Sequence, residues 1–122
     1  MADSTVPQVL RNLFSIEAHL KDFKWESFRA GIEIHRIYGE AGTGPTAALL
    51  RYAPGAEVPV HIHNGYEHIL ILSGSQTDGS QVYEKGALVI SAPGSEHRIA
   101  SEHGCVVLAI WQAPVDFKRN VQ

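Results

Sequence analysis

Histidine is the residue type that stands out in this chain, with seven copies among 122 residues and five of them between His61 and His103. His61 and His63 are separated by one residue, Glu67 follows four positions later, and His97 comes further along. Neutral imidazole nitrogens and carboxylate oxygens are donors that iron, manganese, nickel, copper and zinc accept in proteins. These four side chains therefore predict a site for one divalent transition metal per chain, which could be Zn, Fe, Mn, Ni or Cu.

The predicted local structure brings the first three of these side chains together. Residues 58–63 are predicted to form a strand, in which alternate side chains share a face, so His61 and His63 point the same way. The dipeptide Asn64–Gly65 is a hairpin signal, and a reversal of the chain there lets Glu67 open the returning strand. Two imidazoles and a carboxylate are therefore expected near one point.

The other histidines divide by their positions in the chain. His97 follows the Pro93–Gly94 turn and is expected to reach the cluster from a separate strand. His68 comes one residue after the carboxylate ligand, so its side chain should point away from the metal. A single histidine on a strand is more often a surface or core residue than a ligand. We interpret His35 and His103 as surface or interface residues.

Short apolar runs closed by Gly, Pro or Asn make up most of the chain after Trp25. Strands of about 4–8 residues with frequent turn signals are typical of an all-β sandwich or barrel. Asp78–Gly79 is a second hairpin signal. The fold class that we predict is therefore all-β. The predicted strands cover residues 32–38, 46–52, 58–63, 67–72, 87–91, 95–100 and 105–112.

Residues 1–24 lack this strand pattern and are predicted to form a short N-terminal arm. Five apolar residues of the arm have helix-like spacing: Val6, Val9, Leu10, Leu13 and Phe14. Pro7 interrupts the start of that pattern. We expect a short helix that packs on the body of the protein or on a partner subunit.

Composition excludes several classes of protein. A chain of 122 residues is one domain by length, with 44% hydrophobic residues, 19% charged residues and a net charge of -3. Without a basic surplus we expect no nucleic-acid partner. No apolar run approaches the about 18–20 residues of a membrane helix, and the N-terminus lacks the pattern of a signal peptide. The single cysteine, Cys105, rules out an internal disulfide. We expect a cytoplasmic protein.

Two stretches of the chain resemble the two motifs of the cupin family. Residues 55–74 resemble the first, G-x5-H-x-H-x3,4-E-x6-G, and residues 86–101 resemble the second, G-x5-P-x-G-x2-H-x3-N. The second departs from the pattern because Ala92 replaces the first proline and Ser101 replaces the terminal asparagine. The residues that match are Gly55, His61, His63, Glu67, Gly74, Gly86, Gly94 and His97.

More narrowly, the chain is similar to the ChrR-like cupins, which include the cupin domain of zinc-binding anti-sigma factors and free-standing relatives. The segments that carry this similarity are Trp25 and residues 31–38, 48–55, 93–97 and 102–105. The anti-sigma proteins also carry a helical zinc domain with paired cysteines, which this sequence lacks. A sigma-factor-binding role is therefore not carried over from the resemblance.

The resemblance implies an RmlC-like conical jelly-roll β-barrel with the metal inside. We divide the chain into an N-terminal arm at residues 1–24, a cupin domain at 25–116 and a C-terminal tail at 117–122. The metal ligands that the resemblance implies are His61, His63, Glu67 and His97.

Two classes of function fit this site. Four protein ligands on an octahedral metal leave two positions open, which suits a non-haem dioxygenase or an isomerase of a small molecule, with Glu67 as a candidate base. The alternative is a zinc-bound sensing or ligand-binding module without turnover, because four ligands saturate zinc. In either case we expect a small-molecule ligand and a homodimer that covers the arm and a sheet edge.

Overall fold

The computed structural model describes residues 5–40 and 43–117, which contain two short 3-10 helices, Leu13–Ala18 and Leu20–Asp22, and ten strands. Neither helix is long and apolar enough to cross a membrane. The strands are β1 (Glu26–Arg29), β2 (Ile32–Tyr38), β3 (Thr46–Tyr52), β4 (Ala56–His63), β5 (Glu67–Asp78), β6 (Gln81–Glu84), β7 (Leu88–Ser91), β8 (Glu96–Ser101), β9 (Cys105–Trp111) and β10 (Val115–Phe117).

The strands form two antiparallel sheets that share β5. The first sheet has the order β1-β2-β3-β9-β5-β7, and the second has the order β10-β4-β8-β5-β6. Residues 67–74 of β5 pair with β7 and β9, whereas residues 75–78 pair with β6 and β8. A sheet that curls onto itself in this way is a jelly-roll barrel. The structure therefore confirms the predicted all-β fold.

The barrel interior between the two sheets is apolar, and a second apolar cluster lies outside the first sheet. This second cluster explains why residues 69–72 and 106–108 are continuously apolar, since these strands are covered on both faces. The interior cluster consists of Ile32, Ile34, Ala48, Leu50, Tyr52, Ala56, Ile69, Ile71, Ile99, Cys105, Val107 and Ala109. The outer cluster is centred on Ile16, Leu49, Leu72 and Val106.

The N-terminal arm packs across the outer face of the first sheet, where Ile16 is fully buried. The helix predicted in the arm is wrong in its position. Residues 7–12 have no regular structure, and the first 3-10 helix begins only at Leu13. Asn12 has a φ of 65°, in the left-handed region, which interrupts a helix. Phe14 points into solvent, so the helix-like spacing of the apolar residues in the arm does not correspond to a buried helix face.

The hairpin predicted at Asn64–Gly65 is wrong, because β4 and β5 do not pair with each other. The favoured two-residue hairpin for this dipeptide needs a positive φ at both positions, and neither residue has one. Instead, Gly65 lies so close to Gln112 and Ala113 that an added side-chain carbon would be 3.0 Å from atoms of both. The connection carries the chain from the second sheet into the first.

The hairpin predicted at Asp78–Gly79 is confirmed. Asp78 pairs with Gln81 across the turn between β5 and β6, and Gly79 has a φ of 66°. The other glycine that β5 requires is Gly74, with a φ of 74°. A side-chain carbon there would collide with the carbonyl oxygen of Gly104, so the close passage of β5 beside the start of β9 needs a glycine.

Candidate metal centre

The four predicted ligands meet at one place in the barrel. His61 and His63 lie at the end of β4, Glu67 is the first residue of β5, and His97 lies on β8. The ligand atoms of these four side chains all lie within 4.8 Å of one another. His61 and His97 are directly paired across β4 and β8, with ring centroids 4.6 Å apart. The structure thus brings together all four residues that the sequence singled out.

Backbone carbonyls orient two of the imidazoles toward the cluster. His61 Nδ1 lies 2.9 Å from the carbonyl oxygen of Pro59, and His63 Nδ1 lies 3.1 Å from that of Ser95. A carbonyl oxygen only accepts hydrogen bonds, so each Nδ1–H donates. In the neutral ring this leaves Nε2 with a free lone pair, which is the form that binds a metal.

Glu67 is almost fully buried and is held from two sides. Trp111 Nε1–H donates a hydrogen bond of 2.7 Å to Glu67 Oε2. The other carboxylate oxygen, Oε1, lies 3.2 Å from His63 Nε2 and 3.6 Å from His97 Nε2. One oxygen is therefore fixed by the indole, and the other faces the imidazoles.

His97 supplies an observation that tests whether a metal fits. Its Nε2 atom is buried and has no hydrogen-bond partner in the part of the chain that the structure describes. Buried polar atoms without a partner are rare in folded proteins and call for an explanation. A metal ion among three imidazoles and a carboxylate would provide the missing partner, and this donor set is one that divalent transition metals accept.

The electrostatics of the cluster favour neutral His61 and His97 and an ionised Glu67, whereas His63 is shifted toward its protonated form. Burial lowers the pKa of both His61 and His97, which favours their neutral form. The hydrogen bond to Glu67 raises the pKa of His63 against the opposing effect of burial. Burial also raises the pKa of Glu67, but hydrogen bonds from His63 and Trp111 outweigh it and leave that pKa lowered. Glu67 is therefore a carboxylate.

A cavity of about 250 Å³ opens beside the cluster, inside the mouth of the barrel. His61, Glu67 and His97 form part of its wall, and Trp111 lies next to them. Most of the remaining wall is apolar. The arrangement can hold a small molecule against the side of the cluster that faces the cavity.

The histidines predicted to lie outside the site do lie outside it. His68 faces away from the cluster, with its ring centroid 6.5 Å from that of Tyr66. His35 is half-buried in edge-on contact with the rings of Phe23 and Trp25. His103 is largely exposed.

Sequence reasoning missed the role of two residues at the site. The sequence gives no signal for Trp111, because its contact with Glu67 joins positions 44 apart in the chain. Ser95 stands inside the second motif, and its Oγ lies 3.0 Å from His63 Nδ1. Ser95 stands two residues before His97, and this spacing could have indicated that its side chain lies near the cluster.

Comparison with known proteins agrees with the fold and the motifs. The family model of the ChrR cupin-like domain matches residues 15–115. The anti-sigma-E factor ChrR of Cereibacter sphaeroides is 32% identical over 120 residues, which is 95% of this chain and 54% of that protein. This chain therefore spans about half the length of that curated relative.

Solved structures extend the comparison. The crystal structure of Rhodobacter sphaeroides SigE in complex with the anti-sigma ChrR matches with 26% identity and a TM-score of 0.67, covering 88% of this chain and 70% of that one. An acetylacetone dioxygenase from Acinetobacter johnsonii matches with 14% identity and a TM-score of 0.73, covering 98% of this chain and 80% of that one. The second likeness shows a shared fold. Together with the match over residues 15–115, these findings show that the chain belongs to the ChrR cupin-like domain family.

Proposed function

We propose that this chain binds one divalent transition metal through His61, His63, Glu67 and His97 and acts as a metal-dependent enzyme, a dioxygenase or an isomerase, on a small organic molecule. The observation that carries the proposal is the position of the cluster. Its four ligand atoms lie within 4.8 Å of one another, and three of the four residues line the cavity in the mouth of the barrel. A metal held only for stability would need no cavity of this kind.

The metal and the protein groups around it would have different roles in the reaction. When bound, the metal supplies Lewis-acid polarisation of a substrate oxygen and, if it is redox-active, electron transfer to dioxygen. The carbonyls of Pro59 and Ser95 hold His61 and His63 in the tautomer that leaves Nε2 free. The mostly apolar side chains of the cavity wall would pack against the apolar part of a bound substrate.

Glu67 is our candidate for the group that moves a proton. Its Oε1 atom faces the imidazoles near the cavity, and in this role that oxygen would detach from the metal before it accepts a proton from a carbon or hydroxyl acid of the substrate. The Trp111 indole holds the other oxygen at 2.7 Å, so the carboxylate keeps its direction while it acts. In the described part of the chain, the remaining charged side chains of the cavity wall are arginines, which are not bases at neutral pH.

A zinc-bound sensing or ligand-binding module is the second candidate, and one observation favours it. The 32% identity to the anti-sigma-E factor ChrR extends over 95% of this chain. The matching Rhodobacter sphaeroides structure shows an anti-sigma ChrR in complex with the sigma factor SigE. In this case the cavity would bind a small molecule without turnover, and a partner protein would respond to it.

Turnover separates the two candidates. The chain is loaded with Fe(II) and offered a panel of β-diketones, thiols and enediols, while oxygen uptake and the NMR spectrum of the substrate are followed together. We expect oxygen uptake or an isomerised product with at least one substrate, and its loss in His97→Ala. His68→Ala is the matched control, since His68 lies outside the cluster.

Two results would contradict the proposed enzymatic activity of the cluster. Stoichiometric zinc with no reaction of any substrate would favour the sensing module instead. Turnover that persists unchanged in His97→Ala would separate the reaction from the four-residue cluster.

A further inference from the structure

The cavity beside the metal cluster carries two positive charges that the proposed function leaves unused. Arg29 ends β1 and Arg36 lies on β2, and both line the cavity. Arg29 is half-buried and Arg36 is exposed, so Arg29 is the deeper of the two. Among the residues that the structure describes, neither guanidinium has a carboxylate within ion-pair distance.

Aromatic contacts place the Arg29 charge close to the metal ligands. The guanidinium carbon of Arg29 lies 4.5 Å from the centroid of the Phe117 ring. Phe117 pairs with His61 across β10 and β4, and the two ring centroids are 5.7 Å apart. One aromatic ring therefore separates the guanidinium from a ligand of the cluster. The contact with Phe117 also holds the guanidinium in place, as cation–π contacts do.

The charges of the cavity wall are unbalanced. Its one carboxylate in the described part of the chain, Glu67, is already engaged by Trp111 and His63. A half-buried guanidinium with no anionic partner favours a bound carboxylate, because the two groups form two parallel hydrogen bonds. The cavity of about 250 Å³ restricts the partner to a molecule of metabolite size.

We propose that the cavity binds a small carboxylate-bearing molecule whose carboxylate contacts Arg29 and whose other end points toward the histidine cluster. This inference rests on the proposed function and names the substrate or ligand class of the same site. Arg36 stands at the exposed rim and adds attraction as the anion enters. A neutral molecule of the same shape would leave Arg29 without its partner.

Matched pairs of small molecules test this by isothermal titration calorimetry of the zinc-loaded chain. The pairs are acetoacetate with acetoacetamide, lactate with lactamide and 3-hydroxybutyrate with 3-hydroxybutyramide, so each carboxylate is compared with a neutral amide of equal size. We expect at least one carboxylate to bind about tenfold more tightly than its amide, as a charged hydrogen-bonded pair predicts.

Variants of Arg29 then assign the preference to this residue. Arg29→Gln should lower the affinity for that carboxylate about tenfold and leave the amide unaffected. Arg29→Lys keeps the charge and should retain a carboxylate preference. Arg51→Gln is the control, because Arg51 is an exposed arginine outside this cavity, 3.8 Å from Glu33. It should bind like the wild type.

The inference is overturned if no pair shows a carboxylate preference, or if the preference survives unchanged in Arg29→Gln with wild-type thermal unfolding. Metal content is measured on every sample beside the titration. A chain that takes up no metal contradicts the proposed function, and the same Arg29 criteria then apply to the metal-free chain, since Arg29 is not a metal ligand. A metal-loaded chain that shows no preference for carboxylates contradicts only the proposal of a carboxylate-bearing ligand.

Discussion

At the scale of single residues, the proposed metal site depends on how its four side chains are held. Pro59 and Ser95 direct imidazoles through carbonyl oxygens, and Trp111 fixes one oxygen of Glu67. Partners of this kind set the tautomer and direction of a ligand, and their loss typically lowers metal affinity about 10- to 100-fold. The indole is the only one of the three that a side-chain substitution removes cleanly.

Trp111→Phe is predicted to weaken metal binding without unfolding the barrel. The substitution removes the N–H that holds Glu67 Oε2 at 2.7 Å but keeps an aromatic ring in the cavity wall. We expect the metal affinity, measured by competition with a chelator, to fall about tenfold. Trp25→Phe is the control, because the Trp25 indole donates to the carbonyl of Leu20, away from the site. Equal affinities in both variants would contradict a positioning role for Trp111.

The sequence could predict the four residues of the cluster but not their surroundings. His61, His63, Glu67 and His97 fall at motif spacings, and strand alternation explains why His68 faces away. The contacts of Trp111 and Arg29 join distant positions in the chain, so neither periodicity nor spacing reveals them. Cys105 of β9 is buried, and burial raises the pKa of its thiol.

At the scale of elements, turn chemistry was the least predictable feature. Asp78–Gly79 forms the expected hairpin, whereas Asn64–Gly65 joins two sheets because Gly65 is packed against residues after β9. Local sequence predicts a reversal at both places. Which strand the chain then pairs with depends on contacts made by distant segments. The arm shows the same limit, since apolar spacing at Val6 and Phe14 did not correspond to burial.

The arm is predicted to stabilise the barrel by covering the outer face of the first sheet. Ile16→Ala removes a fully buried side chain from the outer cluster. We expect the free energy of unfolding, measured by urea denaturation, to fall by about 2–4 kcal/mol. Phe14→Ala is the matched control within the same helix, and because Phe14 is 81% exposed the change should stay within about 0.5 kcal/mol. Similar losses in both variants would contradict the packing of the arm.

At the scale of the whole molecule, the barrel has an outer apolar area that the arm does not cover. Leu88 and Ile90 of β7 and Ile110 of β9 are exposed on the first sheet. These two strands flank β5 on either side, and exposed apolar side chains grouped on one sheet are typical of an association surface. The limits of the cupin domain, after residue 24 and at residue 116, remain predictions from the sequence.

We propose that the chain is a homodimer that buries part of this area. Size-exclusion chromatography with light scattering should give about twice the 13.3 kDa mass of one chain. Ile90→Lys places a charge on this area and should shift the mass toward the monomer. Val82→Lys is the control, since Val82 is equally exposed on β6 of the second sheet. A wild-type mass of 13.3 kDa would contradict the dimer.

The central claim is that four residues hold one metal ion, and metal content tests it most directly. The wild type, His97→Ala and His68→Ala are loaded in turn with zinc and iron, desalted and measured by mass spectrometry of the elements. We predict about one ion per chain in the wild type and in His68→Ala, and a small fraction of that in His97→Ala, which loses a ligand. Stoichiometric metal in His97→Ala, or none in the wild type, would contradict the account.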